Sequence, residues 1–482
     1  MKLQNDNRKL IVDFLMYFIG TVIPMIVGLI SVPIMTRYFT PEEYGINSII
    51  DTTFNYFTCL TFSVLGSICW RFYYKYKNNN NVEYFLNFLY TLFLLYSLIV
   101  GALTFIYILF EHNSHIRCLI LFKLCLVLLS GWVGVEFIVL RHNGKSVAYS
   151  LSSSFITLLS FVFLYILTYI LHLRNEALYF SSFLIYLVFF IFFYCKRKYR
   201  IINIFKSKDD LKEFLSFAYF NIFTSFLAVV LVSCDRYMIK FYETFDAVGI
   251  YDKAYNIGER IIYALATMFF NVYNPIIYKT LSEKNEENIR QIFQNITITY
   301  ILFLLPITIV FSLFSKSLVK LFLGPSFQIG YIIIPFVAFG YFFDRFTSSL
   351  YGVAINFKNV KLNLIGTLIA AILNFFLNYF LIPRTGILGA SIATLTSYLF
   401  IFLYSLIVTG FFKLDIFVNN NHVLILYIIL AVYMVMHFII ALLISEKIIF
   451  QILNAVFFAI LYYSLIIKYV KHGYLNIQKS NV

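Results

Sequence analysis

Long apolar segments, separated by short polar ones, recur along the whole chain. Most are about 20 residues long, the length that an α-helix needs to cross the hydrocarbon core of a bilayer. A transmembrane β-barrel would instead show shorter segments of alternating polarity. We therefore predict an all-α polytopic membrane protein. Its fourteen predicted spans cover residues 10–36, 46–69, 84–110, 118–140, 147–171, 178–195, 214–239, 247–278, 291–314, 331–355, 362–382, 387–410, 423–444 and 448–467.

The composition agrees with this pattern and narrows the class of protein. Of the 482 residues, 61% are hydrophobic and only 12% are charged, which is too apolar for a soluble fold. The longest segment on the predicted outer side is residues 315–330, so the loops leave no room for a soluble domain. The six cysteines form no CxxC pair and the seven histidines are scattered. We therefore expect no metal and no cofactor.

The distribution of Lys and Arg predicts the orientation of the chain in the membrane. With the N-terminus inside, the cytoplasmic segments hold 24 of the 37 basic residues and the outer segments hold 9. Because basic loops stay on the cytoplasmic side, we predict that both termini are cytoplasmic. This basic face also accounts for most of the net charge of +14 and suits anionic membrane lipids, so nucleic acid is not an expected partner.

A short motif occurs twice and indicates an internal duplication. RYFTPEEYGI (Arg37–Ile46) and KFYETFDAVGI (Lys240–Ile250) each have a basic residue, two aromatic residues, a polar turn and Gly-Ile, and each joins two apolar spans. Repeats of this kind are typical of transporters built from two related halves. We predict a six-helix lobe at residues 1–209, a second at 210–412, and two additional transmembrane helices with a cytoplasmic tail at 413–482.

Several segments resemble one family of transporters. These are TRYFTPEEYGI, WRFYYKY, SCDRYMIKFYETFDAVGIYDKAYNIG, LFSKSLVKLFLGPSF and NFFLNYFLIPRTGILGASIATLTSY, in this order. Together they resemble the polysaccharide repeat-unit flippases (O-antigen and capsule, Wzx-type) of the multidrug/oligosaccharidyl-lipid/polysaccharide (MOP) exporter superfamily. The resemblance covers most of residues 1–410, and its specificity lies in the order and spacing of the segments. One departure is FLSFAYFNIF, where family members often carry a proline and this chain has Asn221.

The resemblance implies a fold and an activity. It implies two six-helix lobes around a central cavity, with the last two helices matching only in number. It also implies that the protein translocates an undecaprenyl-diphosphate-linked oligosaccharide across the bacterial cytoplasmic (inner) membrane by alternating access. The product would serve the biosynthesis of O-antigen and lipopolysaccharide, capsule or exopolysaccharide. A polysaccharide polymerase and a chain-length regulator would be the expected protein partners.

Such a cargo carries an anionic diphosphate, and Arg is the side chain best suited to bind it. Arg260 is the first candidate because it lies inside a predicted span, and Arg345 is the second, although Asp344 is its neighbour. Arg71 and Arg141 lie at the cytoplasmic ends of predicted spans. Residues at such positions also set topology and reach lipid headgroups, and that structural role is the alternative for both.

Acidic residues within predicted spans are candidates for ion coupling. A carboxylate buried in hydrocarbon can take up a proton near neutral pH, so Asp51, Glu136 and Glu259 are the candidates for H⁺ or Na⁺ coupling. Glu259 and Arg260 form either a cargo site or a closed ion pair that holds helices together. At the outer end of the seventh span, Asp235 and Arg236 are candidates for gating, with a structural ion pair as the favoured interpretation.

Two other functions remain open on the sequence. A multidrug or cation exporter of the same superfamily would have an acidic cavity, whereas the predicted buried acidic and basic groups here are about balanced. An integral-membrane polysaccharide polymerase or ligase would carry a large outer loop with catalytic residues, and none of that size is present. We therefore predict a transporter that is not an enzyme.

Overall fold

The computed structural model describes residues 20–471, except 21, 29, 198, 203–207, 284, 411–424, 427 and 437–447. Helices make up nearly all of the described chain. In chain order they are α1 (Val22–Tyr38), α2 (Pro41–Cys59), α3 (Phe62–Asn78), α4 (Val82–Phe110), α5 (Ser114–His142), α6 (Ser146–Tyr165), α7 (Glu176–Arg197), α8 (Lys208–Tyr242), α9 (Phe245–Glu283), α10 (Glu286–Leu313), α11 (Ser315–Phe322), α12 (Ile334–Phe346), α13 (Gly352–Thr385), α14 (Ile387–Thr409) and α15 (Ile448–Lys471).

Within these residues, nine helical segments are long and apolar enough to cross a membrane, and two shorter apolar helices accompany them. The prediction of an all-α polytopic membrane protein is therefore confirmed. Half of the predicted span 423–444 falls outside the described residues, and its described residues, 425–426 and 428–436, are helical; the beginning of the first span and the C-terminal tail also fall outside. Both predicted cytoplasmic termini stay predictions for the same reason.

The predicted span 46–69 is not one continuous helix. It is divided into α2 and α3 by a break at Leu60 and Thr61, where the Thr61 backbone leaves the helical region at φ −128° and ψ −80°. The Thr61 hydroxyl donates a hydrogen bond to the carbonyl of Phe57 at 2.8 Å. Threonine side chains that bond to the preceding turn in this way commonly bend helices. No proline or glycine marks this break, so the apolar pattern alone did not predict it.

The predicted spans 331–355 and 362–382 correspond to α12 and α13, which follow each other without a loop. A π-helical turn at Thr347–Tyr351 joins them, and Asn359 inside α13 is extended at φ −166° and ψ 112°. The Asn359 side chain accepts a hydrogen bond from the backbone N–H of Lys361, which restarts the helix after the kink. The polar segment AINFKNVK thus ends one span and begins the next, as predicted.

The described chain divides into two compact units. The first comprises Met1–Asp252 and Leu321–Gln328, and the second comprises Lys253–Lys320 and Ile329–Val482. In the first unit, α3, α4 and α5 bury an aromatic core in which Trp132 contacts Tyr90 and Tyr199 with ring centroids about 5 Å apart. In the second unit, Tyr300 stacks on Phe346 with centroids 4.6 Å apart. The predicted lobe boundaries at residues 209 and 412 stay predictions.

Candidate functional site

A polar stripe runs along one face of α2 and α3 in the first unit. Its members recur every three to five residues, are exposed or half-buried, and continue through a segment predicted to cross the membrane. They are Asp51, Asn55, Thr58, Ser63, Ser67, Arg71 and Tyr74. The opposite face of the same helices packs into the aromatic core. An apolar stripe would be expected here if this face met lipid tails, because polar groups are costly in hydrocarbon.

A cavity of about 380 Å³ opens on the middle of this stripe. Polar side chains of α2 and α3 form one wall, and α8 forms the other. The lining residues are Asn55, Thr58, Cys59, Ser63, Ala228, Val229, Val232 and Ser233. A cavity of this size exceeds what a few water molecules require and is comparable to small-molecule sites. The middle of the polar stripe therefore lines a cavity within the first unit that is large enough for a small molecule.

Aromatic and cationic side chains cluster where the stripe reaches the basic end of α3. The Arg141 guanidinium lies between two rings, with its carbon 5.1 Å from the Trp70 centroid and 4.7 Å from the Tyr149 centroid. Such cation–π contacts hold the cation in a defined position. Arg71 is exposed beside them, with its guanidinium carbon 5.5 Å from the Phe72 ring. The two arginines predicted from span ends thus each contact an aromatic ring, Arg141 those of Trp70 and Tyr149 and Arg71 that of Phe72.

Asp51 lies at the other end of the stripe and has two partners. The Lys123 ammonium is 2.8 Å from its carboxylate, and the Tyr179 hydroxyl donates to the same oxygen at 3.1 Å. Lys123 also lies 5.2 Å from the Tyr179 ring centroid. The Asp51 side chain remains about half exposed. It is therefore a paired but accessible carboxylate.

Glu136 is the most deeply buried carboxylate of the predicted set. Its side chain is fully buried, and the Arg197 Nε atom lies 3.1 Å from one oxygen. Within the described part of the chain, neither oxygen accepts a well-aligned hydrogen bond. A buried charge with one partner of this kind is costly unless that partner stays in place or a proton neutralises the carboxylate.

Asp235 and Arg236 form an ion pair, and whether its role is structural or gating stays a prediction. Arg236 contacts Asp235 at 3.1 Å and also donates to Asp252 at 3.1 Å. The Tyr251 hydroxyl donates a short hydrogen bond to the second oxygen of Asp235. Both Asp235 and Arg236 are buried. The network closes on itself at the junction of α8 and α9, which suits a structural or gating role better than cargo binding.

In the second unit, α9 carries a polar stripe of its own. Its members recur every three or four residues and are exposed or half-buried: Asn256, Arg260, Tyr263, Thr267, Asn271, Asn274 and Tyr278. Arg260, the first predicted cargo residue, is exposed on this stripe, while its neighbour Glu259 is half-buried. Several members align with the first stripe at an offset of 204 residues, among them Thr267 with Ser63 and Tyr278 with Tyr74.

Arg345, the second predicted cargo residue, is engaged by its sequence neighbour. Its two guanidinium contacts with the Asp344 carboxylate measure 2.7 and 2.5 Å. The guanidinium also lies 4.6 Å from the Tyr263 ring centroid, which belongs to the α9 stripe. Arg345 therefore borders the stripe as part of an ion pair rather than as an isolated cation.

The two copies of the repeated motif contact each other within the first unit. A methyl group built on Gly45 would lie 1.8 Å from the carbonyl oxygen of Phe245, and one built on Gly249 would lie 1.9 Å from that of Pro41. Phe245 and Pro41 are the first residues of α9 and α2, so the contact is reciprocal. Only glycine allows two backbones to approach so closely. The Gly-Ile of the repeat is thus a packing element, which we name the glycine contact.

Sequence reasoning missed several side chains that the structure places at these sites. Lys123 lies within a predicted span, and that position alone marked it as unusual. Arg197 was one of many basic residues in a cytoplasmic loop and carried no distinguishing signal. Trp70 stands directly before Arg71 in WRFYYKY, so the motif was recognised but its aromatic residue was not. Among the described residues, no group of three His, Cys, Asp or Glu side chains could hold a metal ion.

Comparison with known structures gives the same fold at low sequence identity. A structure described as lipid II flippase MurJ in an inward closed conformation has a TM-score of 0.69 at 15% identity, covering 95% of this chain and 99% of that one. An inward-facing multidrug resistance MATE family transporter of the MOP superfamily has a TM-score of 0.60 at 14% identity, covering 82% and 98%. A MOP superfamily transporter from Pyrococcus furiosus has a TM-score of 0.54 at 14% identity, covering 82% and 94%.

Family profiles match on sequence. The profile of the family "Polysaccharide biosynthesis protein" matches residues 10–281, which is more than half of the chain, and the MatE profile matches residues 221–380. No curated protein sequence matches this one. The similar structures are described as a flippase and as a transporter. The chain belongs to the polysaccharide biosynthesis protein family and has the fold of the MOP-superfamily transporters.

Proposed function

We propose that this protein is a flippase that moves lipid-linked oligosaccharides from the inner to the outer leaflet of a bacterial cytoplasmic membrane. The observation that carries the proposal is the exposed polar stripe of α2 and α3, which extends through a segment of membrane-spanning length. Exposed polar groups at that depth require a polar path. The head group of a lipid-linked oligosaccharide is the kind of cargo that needs such a path through the membrane.

The ends of the stripe suit the chemistry of this cargo. Arg71 and Arg141 offer planar donors for a diphosphate, and the neighbouring aromatic rings offer faces for sugars. On α9, Arg260 is exposed and supplies a further cation. The residues proposed to bind the head group are therefore Arg71 and Arg141 in the first unit and, separately, Arg260 in the second unit, where Arg345 has a supporting position beside Tyr263.

The lipid part of the cargo needs an apolar surface next to the polar stripe. In the second unit, a groove of about 320 Å³ runs beside the α9 stripe and is almost entirely apolar; its lining residues include Leu265, Met268, Phe269, Val272 and Phe303. A polyprenyl chain would be held there by apolar burial alone. This arrangement would keep the tail in an apolar environment while the head group follows the polar stripe.

Coupling to an ion gradient is proposed at Glu136 and Asp51. Protonation of Glu136 would remove a buried charge and release Arg197, which changes the contact between α5 and α7. Asp51 is accessible and would exchange Lys123 for Na⁺ or H⁺. No partner protein enters this scheme, although a polymerase and a chain-length regulator would act on the product.

One experiment separates this function from its alternatives. Deleting the gene should reduce the surface polysaccharide and cause a lipid-linked oligosaccharide to accumulate on the cytoplasmic side. Re-expression of the wild-type chain should reverse both effects, whereas expression of the Arg260→Ala variant should reverse them only weakly. If the deletion leaves both unchanged, the flippase proposal is wrong.

The MatE match over residues 221–380 keeps a multidrug or cation exporter as the second candidate. Purified protein in proteoliposomes distinguishes the two: a flippase makes a labelled lipid-linked oligosaccharide accessible in the opposite leaflet, and an exporter moves a cationic dye. Dye transport without lipid transport would favour the exporter. Dependence on a proton ionophore or on Na⁺ in the same vesicles identifies the coupling ion.

A further inference from the structure

The aromatic cluster at the basic end of α3 supports an inference about sugar recognition, which rests on the proposed function. We propose that Trp70 and Tyr74 form a stacking platform for a pyranose ring of the glycan, with Arg141 fixed beside it to donate hydrogen bonds. The chemical class of ligand is an oligosaccharide, and the platform would help to determine which sugars the protein accepts. The predictions from the sequence gave no role to either aromatic residue.

Both rings are partly exposed, on the face of α3 that does not pack into the aromatic core. Trp70 is 49% exposed and Tyr74 is 51% exposed, whereas the intervening Phe72 and Tyr73 are buried in the core. Because the two residues are four positions apart, their side chains share one face of α3. Two aromatic surfaces about one helical turn apart match the spacing of neighbouring units in a short glycan.

The platform is held rigidly from behind. The His142 ring stacks on Tyr73 at 4.8 Å and meets the Trp70 and Tyr74 rings edge-on at 4.6 and 5.0 Å. The Tyr74 hydroxyl donates to the carbonyl of His142 at 3.2 Å. A ligand that binds to pre-ordered rings loses less conformational entropy on the protein side. Arg141 lies over the Trp70 ring and Lys77 over the Tyr74 ring, so the binding surface is the part of each ring face that these cations leave exposed.

An ordinary membrane-interface belt would also place Trp and Tyr at helix ends. In a belt, however, the same helix face continues into the hydrocarbon as apolar residues. The exposed face of α4 follows that rule with Leu98, Phe105 and Leu109, all at least 60% exposed. The face that carries Trp70 continues instead as Ser67 and Ser63, which leads to the cavity described above. This continuity favours a cargo-facing platform over a lipid anchor.

The chemistry follows from the shape of a pyranose. One face of such a ring presents several C–H groups and little polarity, and it packs on the face of an indole or phenol as other apolar rings do. The hydroxyls at the ring edge remain free to accept hydrogen bonds. The Arg141 guanidinium, held between Trp70 and Tyr149, is placed to donate to them or to a phosphate on the same cargo.

Fluorescence can test the platform because the chain has only two tryptophans, Trp70 and Trp132. In a Trp132→Phe protein, emission comes from Trp70 alone. Since Trp132 is fully buried and its replacement can disturb folding, the difference between wild type and Trp70→Phe gives the same signal from the intact core. The full-length protein is studied in nanodiscs, with maltotetraose, chitotetraose, inorganic diphosphate and phosphatidylglycerol vesicles as separate probes.

We expect iodide in the aqueous phase, and not brominated lipid, to quench Trp70. We also expect at least one oligosaccharide to change the Trp70 emission, with a change that reaches a plateau as the oligosaccharide concentration rises. Trp70→Ala or Tyr74→Ala should weaken binding of that oligosaccharide about tenfold, which lies toward the lower end of the range for loss of one stacking face. Phe105→Ala removes an exposed ring from α4 and is the matched control, with unchanged affinity. Trp70→Phe, which keeps a ring, should retain most of the affinity when binding is measured by calorimetry.

Three results would overturn the platform. Quenching by brominated lipid would show that Trp70 faces the bilayer. A response to phosphatidylglycerol or diphosphate without any response to oligosaccharides would assign the cluster to lipid phosphates. Binding that survives Trp70→Ala and Tyr74→Ala would place the sugar elsewhere. All three concern binding alone, so a protein that binds sugars at Trp70 yet flips no lipid would refute the proposed function and not the platform.

Discussion

The glycine contact allows a direct test of the proposed alternating-access cycle. Gly45 and Gly249 occupy equivalent positions in the two copies of the repeat, and each faces the first carbonyl group of the other copy's helix. If alternating access separates these helix ends, the glycine contact exists in only one of the two states. Alanine at either position should then destabilise that state selectively and shift the population toward the other.

The size of the effect follows from the geometry. An alanine methyl at residue 45 would lie 1.8 Å from the Phe245 oxygen. Carbon and oxygen normally approach to about 3.3 Å, so the helix ends would have to separate by roughly 1.5 Å. Overpacking of this kind typically costs about 1–3 kcal/mol. The gain of about 1 kcal/mol in helix propensity applies to both states and cancels. The population of the closed state should fall about 5-fold to 150-fold.

Distance measurements between spin labels report this population. Glu42 and Asp246 are exposed in the first turns of α2 and α9, so labelled cysteines at these positions should not disturb packing. The six native cysteines are first replaced by serine or alanine. We expect one short distance in the parent protein and a longer, dominant distance in Gly45→Ala and in Gly249→Ala.

Two controls make the result interpretable. Gly134 in α5 has no heavy atom within 4 Å of a built methyl group, so Gly134→Ala brings the same propensity gain without a clash and should leave the distance unchanged. The double variant at residues 45 and 249 should shift the population little more than either single variant, because both disrupt one contact. If Gly45→Ala and Gly249→Ala keep the parent distance and full transport, the glycine contact is not part of a gate.

Three further predictions address two buried ion pairs and the cap of one helix. Glu136→Gln should destabilise the protein by about 1–3 kcal/mol because Arg197, whose side chain is 24% exposed, loses its ionised partner, and adding Arg197→Gln should recover most of that loss in thermal unfolding experiments. Asp235→Asn should cost about 1.5–3 kcal/mol because charged hydrogen bonds from Arg236 are weakened; an unchanged unfolding temperature would contradict the closed network. Thr40→Ala should cost about 1 kcal/mol and speed amide exchange in the first turn of α2, since the Thr40 hydroxyl caps that helix; unchanged exchange would show that tertiary contacts hold the turn.

Much of the helical architecture was predictable because its causes are local in sequence. The apolar runs are set by the thickness of the bilayer, and helix ends coincide with polar turns such as Thr40 and Pro41. The repeat was also recognisable, because Gly45 and Gly249 are each followed by isoleucine and close a similar aromatic and polar segment. The break between α2 and α3 at Thr61 was not predictable, since threonine is common within membrane helices and only the local backbone shows that the helix has ended there.

The charged residues show the limit of the sequence most clearly. Their presence within spans made Asp51 and Glu136 candidates for ion coupling, a role that stays a prediction, and the structure pairs each of them with a basic residue. Adjacent or nearly adjacent partners, such as Asp344 with Arg345, could be anticipated from the sequence. Lys123 and Arg197 could not, because each pairs with a residue more than sixty positions away.

The order of residues along the chain already specifies a multi-spanning helical protein with a duplicated motif and with charged residues inside apolar spans. These features depend on transfer of side chains from water to hydrocarbon, which acts residue by residue. The packing of the helices decides which charges pair, which face of α3 is exposed, and that the backbones at Gly45 and Gly249 come into contact. Those outcomes depend on the contacts between helices. Rotation of a helix about its own axis would change its contacts while leaving the hydrophobic pattern of the sequence intact.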